Sequence, residues 1–492
     1  MSPFALSIFI VTLLIIDALC GGSSIYRQIA YGDPPKVRQT AQTLFTDLSD
    51  DEIQAGNFPR YSPDGRPGEH PRIARLNWNI VSDALKGITR VCLPLVAPTD
   101  CREFFPVKPA SPVQKFGGPE GTVARLRWIG HVNGDASSEA VFIIRERDRA
   151  ISGTIRYQGH IYDIRPVDRA TISIIEVNPK LYVPDESPRA PDTLPRTSGK
   201  SPGEYRGSPP ATITPQADKL TLPLPSAIQV QTGQKTKVDV MVVYTKQAKA
   251  AVEASCNLCL ITDNILVAVE QAKSSLGTNS QLEYRLVYVN EVDYPQNGVN
   301  TDLSYLQGKT DGVLDQVHQW RYDNKADVVS LWVEYAYPEP CGESYGPMKW
   351  VSSGEWGYNY PDPESWAFSI VRRSCAANFL TFHHELGHLM GADHDRADVA
   401  KRGGPPLTGY GYGYVNSSSH EATIMGVPKS PTWFVNMWSS PSNSFPKGSS
   451  AGTSIDNNLR VLNETAAKVS RFSDRLYLDN SPPAEPSNLP TE

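Results

Sequence analysis

Outside its first twenty residues, the 492-residue chain has no apolar run long enough to cross a bilayer, which takes roughly 20 residues. It has no surplus of positive charge either. Lys and Arg number 47 against 53 Asp and Glu, and the net charge of −6 lacks the basic footprint of a nucleic-acid binder. No internal repeat is visible, which argues against a solenoid or propeller. Cysteine is scarce at seven, so the fold must rest on an apolar core and not on a dense disulfide scaffold. The 40% apolar and 20% charged content is that of a globular protein. Histidine is scarce too, and its distribution is uneven: four of the nine fall between 383 and 394.

Residues 384–395 read His-Glu-Leu-Gly-His-Leu-Met-Gly-Ala-Asp-His-Asp. His384 and His388 are four apart, so on a helix they share a face and both imidazoles reach one metal ion. Glu385 lies close to that face, placed to take a proton from a metal-bound water. Gly391 can adopt the left-handed conformation that ends a helix and turns the chain back. That turn brings His394 round as a third nitrogen ligand and leaves the fourth tetrahedral position of a zinc ion open. His383 has only Gly387 at helical spacing and is expected to support the site or to be exposed. A short His-Glu-x-x-His pentamer arises by chance on surface helices, but the extended pattern does not arise so readily. It matches the metzincin signature.

A methionine in a tight turn beneath the metal is expected downstream, and Thr423-Ile424-Met425-Gly426-Val427 supplies one, with Met425 31 residues after His394. Methionine suits such a floor because it is apolar and polarizable and adds no charge. Asp395, directly after the third histidine, resembles the adamalysin (reprolysin) branch of the metzincins. Val427 stands where astacins and serralysins carry a tyrosine. Val242-Val243-Tyr244-Thr245, Cys341-Gly342 and Ser374-Cys375 are similar to reprolysin-like secreted peptidases of the peptidyl-Asp metalloendopeptidase type. The resemblance covers residues 237–475, and the N-terminal half only loosely. Met425-Gly426-Val427 departs from the commoner Met-Ala-Tyr, which leaves subsite specificity open. The resemblance implies a metzincin catalytic domain of α/β class. Its expected parts are a twisted, mostly parallel sheet with one antiparallel edge strand, a long zinc helix and a Met-turn, preceded by a β-rich prodomain.

The chain divides by composition. Residues 1–20 read as a signal peptide: Phe4–Ile16 is nearly all apolar and a small-residue cleavage site follows, although no Lys or Arg precedes the run. Residues 21–183 carry short β-like runs such as Ala140–Ile144, Gly153–Tyr157 and Thr171–Ile175, separated by turn residues. Residues 184–236 form a linker, with ten prolines between 184 and 225. In residues 237–475 strands and helices alternate, which indicates a mostly parallel sheet. The expected elements are Val238–Tyr244, a long helix over Gln247–Ser275, Leu282–Val292, Gly312–Tyr322, Asp327–Val333, Ala367–Arg372, a zinc helix over Ala376–Met390 and a closing helix over Asn457–Phe472. The edge strand is expected around Pro347–Ser353. Residues 476–492 read as a disordered tail.

Removing Cys20 with the signal leaves six cysteines, an even number suited to an oxidising compartment. Sequence does not fix which of fifteen pairings occurs. Locality favours Cys92 with Cys101, Cys256 with Cys259, and Cys341 with Cys375. Cys256-x-x-Cys259 could instead be a redox dithiol or half a zinc knuckle, and Cys92 or Cys101 could hold the open zinc position as a thiolate. The layout is that of a secreted, extracellular zymogen, activated by a protease cutting the 184–236 linker after Arg196, Arg206, Lys219 or Lys235. The expected activity is zinc-dependent endoproteolysis of protein or peptide substrates. It would use one catalytic Zn2+ ion, a zinc-activated water and Glu385 as general base, without nucleic acid and without a membrane span in the mature chain. A catalytically silent extracellular binding protein that keeps its zinc is the alternative.

Overall fold

A computed structural model describes residues 42–56, 71–85, 90–95, 101–108, 110–133, 135–185, 234–254, 256–336, 338–351, 354–402, 409–428 and 432–478. The expected signal peptide lies outside these residues. So do most of the linker, three of its four basic cut sites and the last fourteen residues.

In the N-terminal half, an antiparallel meander runs through β1 (Leu126–Val132), β2 (Asp135–Arg145), β3 (Ala150–Tyr157), β4 (His160–Pro166) and β5 (Thr171–Glu176). It belongs to an eleven-stranded sheet whose two ends are the short strands Gln42–Thr43 and Phe45–Asp47. Those ends are neighbours in sequence. Leu44 between them donates its N–H to Cys92 on one side and accepts from Asn77 on the other, so the sheet curls shut as a barrel. Ala140, Phe142 and Ile144 of β2 point into the barrel core with Phe45, Phe104 and Trp128. Val141 and Ile143 point the other way, into the core of the C-terminal half. A strand buried on both faces is apolar without alternation, which is why Ala140–Ile144 reads as a continuous run.

The C-terminal half is built on a five-stranded sheet. Its strands are β6 (Thr236–Thr245), β7 (Leu282–Val292), β8 (Val328–Val333), β9 (Gly342–Ser344) and β10 (Phe368–Arg372), in the spatial order β7-β6-β8-β10-β9. Four run parallel, and β9 is antiparallel at one edge. Alternate residues of β6 serve two layers. Val238, Val240 and Val242 pack under α1 (Ile261–Ser275) and α2 (Thr381–Leu389), while Met241 and Val243 meet Leu303, Val317 and Leu331 on the opposite face. Helix α3 (Asn458–Val469) buries Leu459, Val461, Leu462 and Ala466 in the first of these layers. Among the described residues, no helix is long and apolar enough to cross a membrane.

Several expectations need correction. The edge strand is Gly342–Ser344; Met348–Val351 instead pairs with Glu355–Tyr358 in a separate hairpin. The long helix over 247–275 is two helices, Lys246–Glu253 and α1, separated by a turn that the Cys256–Cys259 disulfide closes. The zinc helix does not begin at Ala376. A four-residue helix, Arg373–Ala376, precedes it, and the left-handed Leu380 (φ 62°) breaks the path before Thr381. A helix over Val299–Gln307 was not anticipated. The closing helix is likewise two, and the second, Phe472–Leu478, runs past residue 475.

The halves share a core: Val141, Ile143, Ile161, Val177 and Leu181 of the N-terminal half lie in one cluster with Leu266, Phe382 and Met425. Ion pairs surround that contact. Arg125 Nε and Arg145 Nε meet the two oxygens of buried Asp263 on α1 at 2.7 and 2.9 Å. Arg127 pairs with Glu270 two turns further along the same face of the helix. Arg156 Nη2 donates to the carbonyls of Ala377 and Asn378, both at 2.6 Å, just ahead of α2.

Candidate metal centre and active site

Helix α2 carries His384 and His388 on one face. The helix ends at Met390, where the Gly391 N–H bonds the His388 carbonyl and the Ala392 N–H bonds the Gly387 carbonyl, both at 2.9 Å. This pair of bonds forms a Schellman end and requires the left-handed φ of Gly391, +92°. A Cβ there would meet the Trp356 ring at 2.5 Å, so glycine is needed for space as well as for conformation. The reversed chain brings His394 back onto the face of α2. Its Nε2 lies 3.0 Å from the Nε2 of His384 and 3.0 Å from that of His388.

The outer nitrogens decide what this cluster needs. Nδ1 of His384 faces the Ile424 carbonyl at 2.8 Å, and that of His388 faces the Ala392 carbonyl at 2.9 Å. That of His394 faces an Asp398 carboxylate oxygen at 2.9 Å. All three partners only accept, so each Nδ1 carries the proton and each Nε2 presents a bare lone pair inward. Three lone pairs at this separation repel one another unless a cation sits among them. Burial pushes the His388 pKa down to about 3, which keeps that ring neutral. Tetrahedral zinc with nitrogen at about 2.0–2.1 Å sets neighbouring nitrogens roughly 3.3 Å apart, so the donor set fits such an ion.

A fourth group completes the cluster, and no motif announced it. The Asp185 carboxylate lies 3.1 Å from His388 Nε2, 3.2 Å from His394 Nε2 and 3.4 Å from His384 Nε2. The four ligand atoms lie within 4.8 Å of one another. Asp185 arrives at the end of a segment laid against the edge of the sheet. The Cys341 N–H donates to the Val183 carbonyl at 2.9 Å, and Arg372 Nη2 donates to the Leu181 carbonyl at 2.8 Å. Tyr182 packs on the rings of Phe379 and Phe434, with centroids 5.6 and 5.0 Å away.

Glu385 is fully buried beside the cluster. Its Oε2 accepts the Ser344 hydroxyl at 2.9 Å. Its Oε1 has no hydrogen-bond partner among the described residues. Burial first and the charge of Asp185 second push its pKa well above the ordinary carboxylate value, against the pull of Ser344. Met425 is buried in the turn over Thr423–Gly426, whose Ile424 carbonyl orients His384. Its sulfur packs so closely on Gly387 that a Cβ there would come within 2.9 Å of it.

Asp395 is not a ligand. One oxygen accepts from the Ala397 and Asp398 N–H groups at the start of the next helix, and the other accepts from the Val427 N–H beside the Met-turn at 2.9 Å. His383 is buried and turned away from the cluster, with Nε2 2.9 Å from Asn436 Oδ1. The disulfides are Cys92–Cys101, Cys256–Cys259 and Cys341–Cys375. The thiolate alternative for Cys92 or Cys101 therefore falls away, since the two are bonded to each other.

Residues 234–438 match the family described as Reprolysin_5, Metallo-peptidase family M12. The chain carries a reprolysin-like metallopeptidase domain. A peptidyl-Asp metalloendopeptidase of Xanthomonas campestris pv. campestris is 27% identical over 366 residues, which is 73% of this chain and 74% of that protein. One of Stenotrophomonas maltophilia is 28% identical over 342 residues, 69% of this chain and 72% of that protein. These alignments extend well beyond the 205 positions between 234 and 438, so part of the barrel half is shared as well. A solved structure titled "Structure of a chaperone-substrate complex" aligns with a TM-score of 0.35 at 18% identity. It covers 49% of this chain and 35% of that one, too remote a likeness to bear on this fold. The three imidazoles and Glu385 all fall inside the metallopeptidase domain, whereas Asp185 lies outside it.

Proposed function

We propose that the protein is a secreted zinc endopeptidase made as a zymogen, in which the barrel half is the propeptide and Asp185 is its latch. The observation that carries this reading is the placement of one carboxylate against all three bare nitrogens. It sits where a catalytic zinc site needs an open position. Residue 185 belongs to the 184–236 stretch that the sequence marks as a linker. Residues 186–233 follow it outside the described residues, and a cut there separates the barrel from the peptidase domain. The three disulfides accord with an oxidising, extracellular location.

Zinc on these nitrogens would supply Lewis acidity, lowering the pKa of a coordinated water and polarising a carbonyl. The protein's own part begins with holding a peptide. The backbone of β9 around Cys341 already pairs with residue 183, and an extended substrate takes that place once the pro-segment leaves. Glu385 then accepts a proton from the attacking water at its free Oε1 and returns it to the departing amine. Asp398 and the Ile424 and Ala392 carbonyls hold the imidazole tautomers throughout. The name shared by the relatives makes peptide bonds beside aspartate the first substrates to try.

The test is proteolysis of casein by the linker-cut protein, wild type beside Glu385→Ala, with metal content measured for both. The expected result is activity in the wild type alone, abolished by a chelator. Glu385→Ala should be slower by about 10²–10⁴-fold while keeping its metal. Equal activity in the two proteins would refute the assignment of the base.

A further inference from the structure

The edge strand β9 has a second role besides pairing. Gly342 and Ser344 are two residues apart on it, so they share the face that looks onto α2. On that face the Ser344 hydroxyl donates to Glu385 Oε2, and both groups are buried. Gly342 faces the other oxygen. A Cβ there would lie 2.3 Å from Glu385 Oε1 and 2.7 Å from the Thr381 methyl. The strand therefore grips one oxygen of the carboxylate and clears space at the other, the one without a hydrogen-bond partner.

We propose that Ser344 is a positioning residue for catalysis, fixing the rotation of the Glu385 carboxylate, and that Gly342 is required so that the second oxygen stays clear to handle the proton. A carboxylate on a glutamate turns freely about its last torsion, where the energy wells are broad. The hydroxyl removes that freedom and its charge-assisted bond favours one orientation. Because the same strand receives the peptide backbone, the substrate and the base are held from one rigid element. Small errors of placement at a reacting centre are costly, so this shared footing matters.

The inference rests on the reading of Glu385 as general base, and the experiment separates the two. Linker-cut enzyme is assayed on a fluorogenic peptide containing aspartate, with kcat, KM, melting temperature and bound metal measured for four variants. Ser344→Ala is expected to lower kcat about tenfold or more, with KM within about twofold and metal retained. Ser344→Thr, which keeps the hydroxyl, restores kcat to within about threefold of wild type. Gly342→Ala lowers kcat further than Ser344→Ala, again with metal bound. An unchanged kcat in Ser344→Ala overturns the proposal. So does a rise in KM with kcat unaffected, which would mark the serine as a mere part of the peptide seat. If the alanine variant does not fold, Ser344→Cys, a much weaker donor, is read by the same criteria. Glu385→Gln serves as the independent arm: full activity there defeats the base assignment, whereas a dead Glu385→Gln beside a normal Ser344→Ala defeats only the positioning role.

Discussion

Around the three imidazoles, the groups that fix the His388 and His394 rings lie four residues away, and the one that fixes His384 lies 40 away. Along the seat of the barrel, Arg125 and Arg145 reach Asp263 from 138 and 118 residues away. Both regions bury polar groups, yet they differ in kind. The metal site uses neutral rings whose lone pairs wait for a cation. The barrel seat uses full charges that neutralise each other. A site assembled from one helix and its return turn can be read as a motif. An interface assembled from two halves of a chain leaves each residue looking like any other surface charge.

The comparison is broken most strongly at Asp263. Asp263→Ala would remove the carboxylate that Arg125 and Arg145 share and leave them only the partly exposed carboxylates of Glu120 and Asp148. Breaking a buried ion pair costs up to about 3–5 kcal/mol. The expected outcome is a latent form destabilised by that order in chemical denaturation and a barrel that detaches readily. The kcat of the linker-cut peptidase domain should be unaffected. Unchanged stability of the latent form would mean that the arginines are not what seats the barrel.

A buried histidine elsewhere sharpens the contrast. His318 is buried in the helix over Asp315–Asp323 with its ring tilted against Phe368, and it belongs to no ligand cluster among the described residues. Burial, aided by Arg321, lowers its pKa from 6.5 to about 4. The unfolded chain binds this proton first as pH falls, so stability is lost between about pH 6.5 and 4, by up to roughly 3 kcal/mol. Unfolding free energies of the wild type and His318→Gln, measured across that range, should converge as pH falls. A constant difference would show that His318 does not titrate in this way.

The smallest effect is expected at Asp398, which orients His394. Asp398→Asn should weaken metal affinity by about 10–100-fold in a competitive chelator titration without unfolding the domain.

These differences also explain how far the sequence could be read. His384, Glu385, His388, Gly391 and His394 were legible because helix periodicity and one glycine turn bring them together locally, whereas Met425, 31 residues on, rested on the resemblance. The parallel strands were legible because a strand covered on both faces is apolar without a break, as β6 is over Val240–Tyr244. Of the three helix breaks that were missed, two escaped because neither the Cys256–Cys259 turn nor the left-handed Leu380 interrupts the apolar periodicity around it. The edge strand was misplaced because three residues, Gly342–Ser344, carry too little pattern to mark a strand. Asp398 could have been found, as it stands one turn beyond His394 on the following helix. Asp185 could not: it is one acid at the border of a proline-rich stretch, and only the folded chain shows that the stretch begins on the metal site.

The most direct test of the account is the activity of the uncut chain toward a short fluorogenic peptide, wild type beside Asp185→Ala, with bound metal quantified in both. The account predicts a silent wild type that turns on when the linker is cut. The Asp185→Ala protein should turn the peptide over before any cut, about tenfold above the wild type, because a tethered ligand acts at high effective concentration. Cutting should raise it further, since Val183 keeps its pairing at the sheet edge until the pro-segment leaves. An Asp185→Ala protein that binds metal fully and stays as silent as the wild type until cleavage would contradict it.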